Sequence, residues 1–230
     1  MIGTEPPIFA GAEYSALRVL DETAFAQGVR FLADQDEQLA AVVKTYGQPP
    51  LWVREPGFAS LVYIILEQQV SLASARATFA RLKTVVNPLT PRRFLKLTDG
   101  ELLGVGFSRQ KTLYTRLLAE SLARRYFNLR DLHQLHDDSA RKMLIAFKGI
   151  GRWTADIYLL SALRRPDIWP TGDLALATAV QEVKRLRQRP SPEHLEALSV
   201  PWRPWRAVAA RLFWHAYLSK RGQKSSSASL

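Results

Sequence analysis

An all-α fold is what this chain predicts, on three observations. Apolar residues recur at helical intervals through most segments, helix start and stop signals punctuate them, and few stretches alternate with period two. Residues 1–20, with Gly3, Pro6, Pro7 and Gly11, read as an arm on the surface. Phe25, Val29, Leu32, Leu39 and Val43 predict one helix or two over 21–46, stopping at Gly47-Gln48-Pro49-Pro50. Residues 58–86 form a long apolar pattern that Glu67-Gln68-Gln69 interrupts and Ser71 restarts, closed by Asn87-Pro88. Thr90-Pro91 and Thr98-Asp99 look like helix starts, proline being suited to a first turn. A strong helix runs from Lys111 to Arg125, two short helical pieces fill 129–147, and further helices cover 174–186, 192–198 and 205–219. The low-complexity end, 221–230, reads as a disordered tail.

The balance of charge narrows the partner. Among 230 residues, 32 Lys and Arg face 21 Asp and Glu, for a net charge of +11. A polyanion explains that excess, although a well-solvated basic surface would show it too. The chain has no cysteine, which excludes disulfides, a thiolate nucleophile and cysteine-ligated zinc or iron–sulfur centres. Of the four histidines, His133 and His136 lie three apart beside Asp137 and Asp138, a cluster that reads as a solvated helix end rather than a ligand set, so no metal is expected. No stretch reaches the ~18 apolar residues of a membrane span. Met1-Ile2-Gly3-Thr4-Glu5-Pro6-Pro7 lacks the basic and apolar regions of a secretion signal, so the expected location is cytoplasmic, with the nucleoid when DNA is bound.

Phe147-Lys148-Gly149-Ile150-Gly151-Arg152-Trp153-Thr154 reads as an apolar turn, a glycine hairpin and the start of a helix. Such a hairpin turns backbone N–H groups outward, and the positive end of the following helix dipole completes a seat for an anion. A phosphate is the natural guest on so basic a chain. Asp173 follows in Trp169-Pro170-Thr171-Gly172-Asp173, far enough away for one helix and a return loop. It can therefore stand beside whatever the hairpin holds. It precedes Leu174-Ala175-Leu176-Ala177, so a helix N-cap is its bland reading. Gly104-Val105-Gly106 is a shorter version of the hairpin and serves equally as a plain connector.

Over roughly residues 50–220 the chain resembles the helix-hairpin-helix DNA glycosylases, and within them the DNA-3-methyladenine glycosylase II branch. The resemblance rests on Phe147–Asp156, on Asp173 beyond Trp153, on Glu67-Gln68-Gln69-Val70-Ser71, and on Trp202-Arg203-Pro204-Trp205-Arg206 leading to Trp214. It implies two helical lobes with a DNA-binding cleft between them. One lobe would combine residues 1–69 and 173–220; the other, 70–172, would contain the helix-hairpin-helix at about 138–163. The family's β-rich N-terminal lobe has no room in the short region 1–50.

The resemblance makes Asp173 the catalytic carboxylate, facing the positive charge that develops on the sugar as an N-glycosidic bond breaks. Trp153 and Trp214 become walls of the base pocket, with Ile157 where relatives can carry a further aromatic. Gln69, with its neighbour Gln68, takes the place of the plug that fills the gap left by a flipped base, unless the pair is only a polar helix break. Lys148, Gly149, Ile150, Gly151, Arg152 and Thr154 form the phosphate-binding hairpin, whose carbonyls can also hold a monovalent cation; no other cofactor is implied. Arg109 and Lys111 are further phosphate candidates. Trp202 and Trp205 fit core packing. Trp153 occupies the position where bifunctional relatives carry a Schiff-base lysine, so the expected activity is monofunctional.

These readings converge on a monomeric enzyme that releases alkylated purines of the 3-methyladenine type from duplex DNA by base flipping, opening base-excision repair. Two alternatives stand: the same scaffold acting on uracil, hypoxanthine or an oxidised purine, and a non-catalytic module that binds DNA lesions. The lone acid fits alkylated purines, which already carry positive charge and leave without a proton donor.

Overall fold

The computed structural model describes residues 19–227, with side chains to 222. The expected N-terminal arm thus lies almost wholly outside the described residues. Every element of the described chain is helical. In order these are α1 (Glu22–Gln35), α2 (Glu37–Tyr46), α3 (Phe58–Glu67), α4 (Leu72–Val85), α5 (Pro91–Phe94), α6 (Asp99–Gly104) and α7 (Arg109–Ala123). After a 3-10 turn at Leu129–Gln134 come α8 (Asp137–Ile145), α9 (Arg152–Ser161), α10 (Leu174–Val183), α11 (Pro192–Ser199), a second 3-10 turn at Val200–Trp202, and α12 (Arg206–Ser227).

Local chemistry accounts for most of these boundaries. Asp36 ends α1 and starts α2, its Oδ1 accepting from the N–H groups of Gln38 and Leu39, and so splits the 21–46 pattern in two. Ser71 caps α4 by accepting from Ser74 N. Thr90 caps α5 ahead of Pro91, and Thr98 with Glu101 forms a reciprocal capping box on α6. Ser108 caps α7 through Lys111 N. The Gly104–Gly106 segment is the end of α6, held by Arg81 Nε donating to Val105 O at 3.0 Å, which makes it a structural connector.

The residues fall into two compact units. Of the described residues, the first comprises those through Leu51, Arg164–Trp169, and those from Leu174 onward; the second is Trp52–Leu163 with Pro170–Asp173. In the first, α1, α2 and α10 pack on α12 around Phe25, Leu32, Leu39, Val180, Leu212 and Phe213. Trp169, Trp202 and Phe213 stack at 5.1–6.3 Å in its core, and Trp205 is also buried, so Trp202 and Trp205 are packing residues. Asp36 joins this core to the surface, accepting from Trp202 Nε1 at 2.8 Å and pairing with Lys184. The end of α12 departs from expectation. Rather than stopping at 219, the helix runs to Ser227, and Lys220 and Arg221 both reach Glu182 on α10. Those two pairs carry the helix into the region read as a disordered tail.

In the second unit α3 is the central helix, packed on α4, α7 and α9 through Leu61, Val62, Ile65 and Leu66. Its membership here differs from the expected change of lobe at 69–70. The reason is that α3 carries apolar residues on nearly every face and buries them against later helices. Arg54 pairs with Glu67 at 2.7 Å, and the buried Tyr158 hydroxyl accepts from Gly57 N at 3.0 Å. Burial pushes the Tyr158 phenol up to about 12, so it stays a neutral structural group.

Candidate functional site

The hairpin joins α8 to α9, two helices packed on each other. Ile150 N donates to Phe147 O at 3.0 Å to close the turn, and the Ile150 side chain is buried. Gly149 has φ +91°, and a Cβ there would lie 2.2 Å from Tyr114 Cγ. The chain passes so close to α7 that only a hydrogen fits. Gly151 is different. Its φ of −85° suits any residue, and a Cβ on it would meet nothing within 4 Å. Gly151 is the N-cap of α9, with no side chain capping the helix. The missing Cβ leaves the uncapped N–H groups of the first turn approachable, which is what an incoming anion needs.

Lys148 and Arg152 are exposed beside this turn. Arg152 Nε lies 3.6 Å from Asp156 Oδ2, a contact loose enough to exchange for an external anion. Asp156 is fully buried, and its second partner, Arg141 on α8, donates Nε to Oδ1 at 2.5 Å. Burial pushes the Asp156 carboxyl up, opposed by Arg141, whose own guanidinium is held more firmly protonated by the carboxylate. This pair ties α8 to α9 and went unrecognised in the sequence, because an acid and an arginine 15 residues apart give no periodic signal.

Asp173 stands where the hairpin helix can reach it. Asp173 N donates to Pro170 O at 3.0 Å, closing a turn over Pro170–Asp173. Trp153, in the first turn of α9, donates its indole Nε1–H to Asp173 Oδ2 at 2.8 Å. Both residues are half-buried. The indole N–H lies in the ring plane, so this bond orients the carboxylate without consuming the faces of the ring. Hairpin, indole and carboxylate are thus contiguous within one unit. Ile157, one turn along α9, is 8 % exposed and leaves little surface for contact. Trp214 is half-buried on α12, in the first unit.

The two glutamines have separate fates. Gln69 is exposed, with φ +56°, at the turn after α3. Gln68 is not a free plug: its Nε2 donates to Gly149 O at 2.9 Å and to Thr154 Oγ1 at 2.8 Å. Both amide hydrogens are spent on the hairpin, and the Gly149 carbonyl, one of those that could face a cation, already accepts one of them. Thr154 is buried and acts as acceptor inside the hairpin rather than at its surface. Lys111 is likewise engaged, its Nζ donating to Leu66 O at 2.7 Å and Gln68 O at 2.9 Å as a cap on the end of α3. Burial lowers its pKa, as expected for an ammonium drawn under a helix end instead of out toward phosphate.

Helices throughout the described residues, with a glycine hairpin, an indole and one carboxylate at these spacings, match the class of helix-hairpin-helix DNA repair proteins. The chain belongs to the HhH-GPD superfamily of base excision DNA repair proteins, whose family model matches residues 62–204. It is 25% identical to the putative DNA-3-methyladenine glycosylase YfjP of Bacillus subtilis (strain 168), over 77% of this chain and 65% of that protein. It is 28% identical to a DNA-3-methyladenine glycosylase of the same organism, over 53% of this chain and 40% of that protein. The chain therefore spans less than two thirds of the length of these two relatives. Its fold is similar to that of Schizosaccharomyces pombe 3-methyladenine DNA glycosylase (Mag1) in complex with abasic DNA, with a TM-score of 0.74 and 26% identity, covering 82% of this chain and 95% of that one. Among the described residues no helix is long and apolar enough to cross a membrane.

Proposed function

We propose that this protein is a monofunctional DNA glycosylase that hydrolyses the N-glycosidic bond of alkylated purines, of the 3-methyladenine type, in duplex DNA, and so begins base-excision repair. The observation that carries this reading is the 2.8 Å bond from Trp153 Nε1 to Asp173 directly behind the Gly149–Gly151 turn. It supports a site where one aromatic ring both meets a base and aims a carboxylate.

In this reading the hairpin N–H groups and Lys148 take a backbone phosphate of the lesion strand, and Gln69 enters the space of the flipped nucleotide. The cationic purine rests on the Trp153 face, a contact worth about 0.5–2 kcal/mol that a neutral purine lacks. The bond from C1′ to the base nitrogen then breaks, and its electron pair leaves with the base, which departs neutral. Asp173 stabilises the positive sugar while water adds to C1′, the water proton passing to the carboxylate and on to solvent. No general acid is needed for such a leaving group. An indole at position 153 has no amine to form a Schiff base, so the abasic strand is left unnicked.

The test is mass spectrometry of bases released from methylated duplex DNA by wild type and by Asp173→Asn. Release of methylpurines by wild type, with the variant slower by at least about a hundredfold, is the expected result. Release of a different base would reassign the lesion. No release of any base by wild type would leave a binding module.

A further inference from the structure

Gln68 stands at a junction of four segments. Its backbone ends α3, its side chain reaches the hairpin at Gly149 and α9 at Thr154, and its carbonyl receives Lys111 from the first turn of α7. One turn further along α7, Tyr114 lies against the Cα of Gly149, with its hydroxyl accepting from Gln110 Nε2 at 2.7 Å. The hairpin and the turn carrying Gln69 are therefore braced against the same helix and bonded directly to one another.

The backbone of Gln69 adds to this picture. Gln68, at φ −59° and ψ 124°, and Gln69, at a left-handed φ of +56°, fit the two central positions of a type II turn, whose second position is left-handed. Gln68, held by its side chain at two points and by its carbonyl at a third, fixes the first of those positions. From this arrangement we infer that Gln68 is a positioning residue that couples seating of a phosphate on the hairpin to insertion of Gln69 into the duplex. The two contacts with DNA then form as one rigid step rather than as two loops moving separately. This inference rests on the glycosylase reading above, in which Gln69 is the plug.

Gln68→Glu is the sharpest perturbation. Size and shape are kept, but a carboxylate cannot donate to the Gly149 carbonyl and repels it. The assay uses a duplex with a tetrahydrofuran abasic analogue flanked by 2-aminopurine, whose fluorescence rises when the neighbouring stack is opened. The variant should lose about fivefold to tenfold in the equilibrium constant for that insertion, while affinity for undamaged duplex changes less than about twofold. Gln69→Gly, which removes the plug side chain at a φ glycine accepts, should lower the same signal.

The double variant decides between coupling and general damage. If Gln68 acts through Gln69, Gln68→Glu adds little once Gln69→Gly is present. Additive losses, or an insertion signal unchanged by Gln68→Glu, would overturn the coupling. If Gln68→Glu fails to fold, Lys111→Met instead cuts the tie to the Gln68 carbonyl and should show the same non-additivity with Gln69→Gly. Methylpurine release by wild type is measured alongside: its absence counts against the enzyme, whereas release together with additive variants counts against the coupling alone.

Discussion

Replacing the two hairpin glycines one at a time should give opposite phenotypes. At Gly149 an alanine Cβ would fall 2.2, 2.3 and 2.5 Å from Tyr114 Cγ, Cδ2 and Cβ. These atoms form the base of the ring, so the tyrosine cannot escape by a small swing of its tip. Relieving such overpacking costs about 1–3 kcal/mol, and holding an L-residue at a left-handed φ costs about 1–2 kcal/mol more. A loss of about 2–5 kcal/mol should lower the melting temperature of a chain this size by roughly 4–20 °C. At Gly151, with an ordinary φ and open space, alanine should change stability by no more than about 1 kcal/mol, the effect of losing a favourable N-cap residue. Its methyl group would instead sit over the anion seat and weaken duplex binding at low salt by about tenfold. Thermal unfolding followed by circular dichroism, and fluorescence anisotropy with a labelled duplex, measure the two effects. Adding Tyr114→Ala to Gly149→Ala removes the contacts with Cγ and Cδ2 but keeps the 2.5 Å contact with Cβ, so it should recover only some of the packing part and none of the φ part. A Gly149→Ala protein that melts within about 1 °C of wild type would refute the argument, as would a Gly151→Ala protein that binds DNA normally.

Three further outcomes follow from the described contacts. Trp153→Phe keeps an aromatic face but removes the donor to Asp173, so methylpurine release should slow by about tenfold while affinity for lesion DNA changes less than about twofold, read by single-turnover kinetics. Asp156→Asn should destabilise the protein by about 1–3 kcal/mol in urea unfolding, because it removes the buried counter-charge of the Arg141 guanidinium, which keeps only its pair with the exposed Asp138. Burial alone would raise the Asp36 pKa, yet hydrogen bonds from Lys184, Trp202 and Leu39 hold it below its ordinary value. A folded-state value below the unfolded one contributes stability that is full above about pH 4 and disappears as pH falls through the folded value. Asp36→Asn should therefore cost stability at about pH 6 and much less at about pH 2, seen by comparing urea midpoints of variant and wild type.

Helices and their caps were legible along the chain because each is a local event. Ser71, Thr98 with Glu101, and Ser108 satisfy N–H groups only three residues away, and helical periodicity appears within a single window. The glycine hairpin and the lone carboxylate were legible for the same reason, each being a short string with few conformations open to it. Other assignments had to wait for the packed chain. Gln68 and Gln69 are neighbours of one residue type, yet one is spent inside on Gly149 and Thr154 while the other faces out. Lys111, read as a phosphate contact, caps α3 because the fold brings it, 43 positions along the chain, beneath the Gln68 carbonyl. Whether Trp153 merely stacks or also orients an acid depended on where the turn over Pro170–Asp173 returned the chain. Sequence by itself determined which residues could start, stop and punctuate helices and which could bear charge. Only the tertiary structure decided which of those groups spend their hydrogen bonds on one another, since that choice depends on distances between segments far apart in the chain.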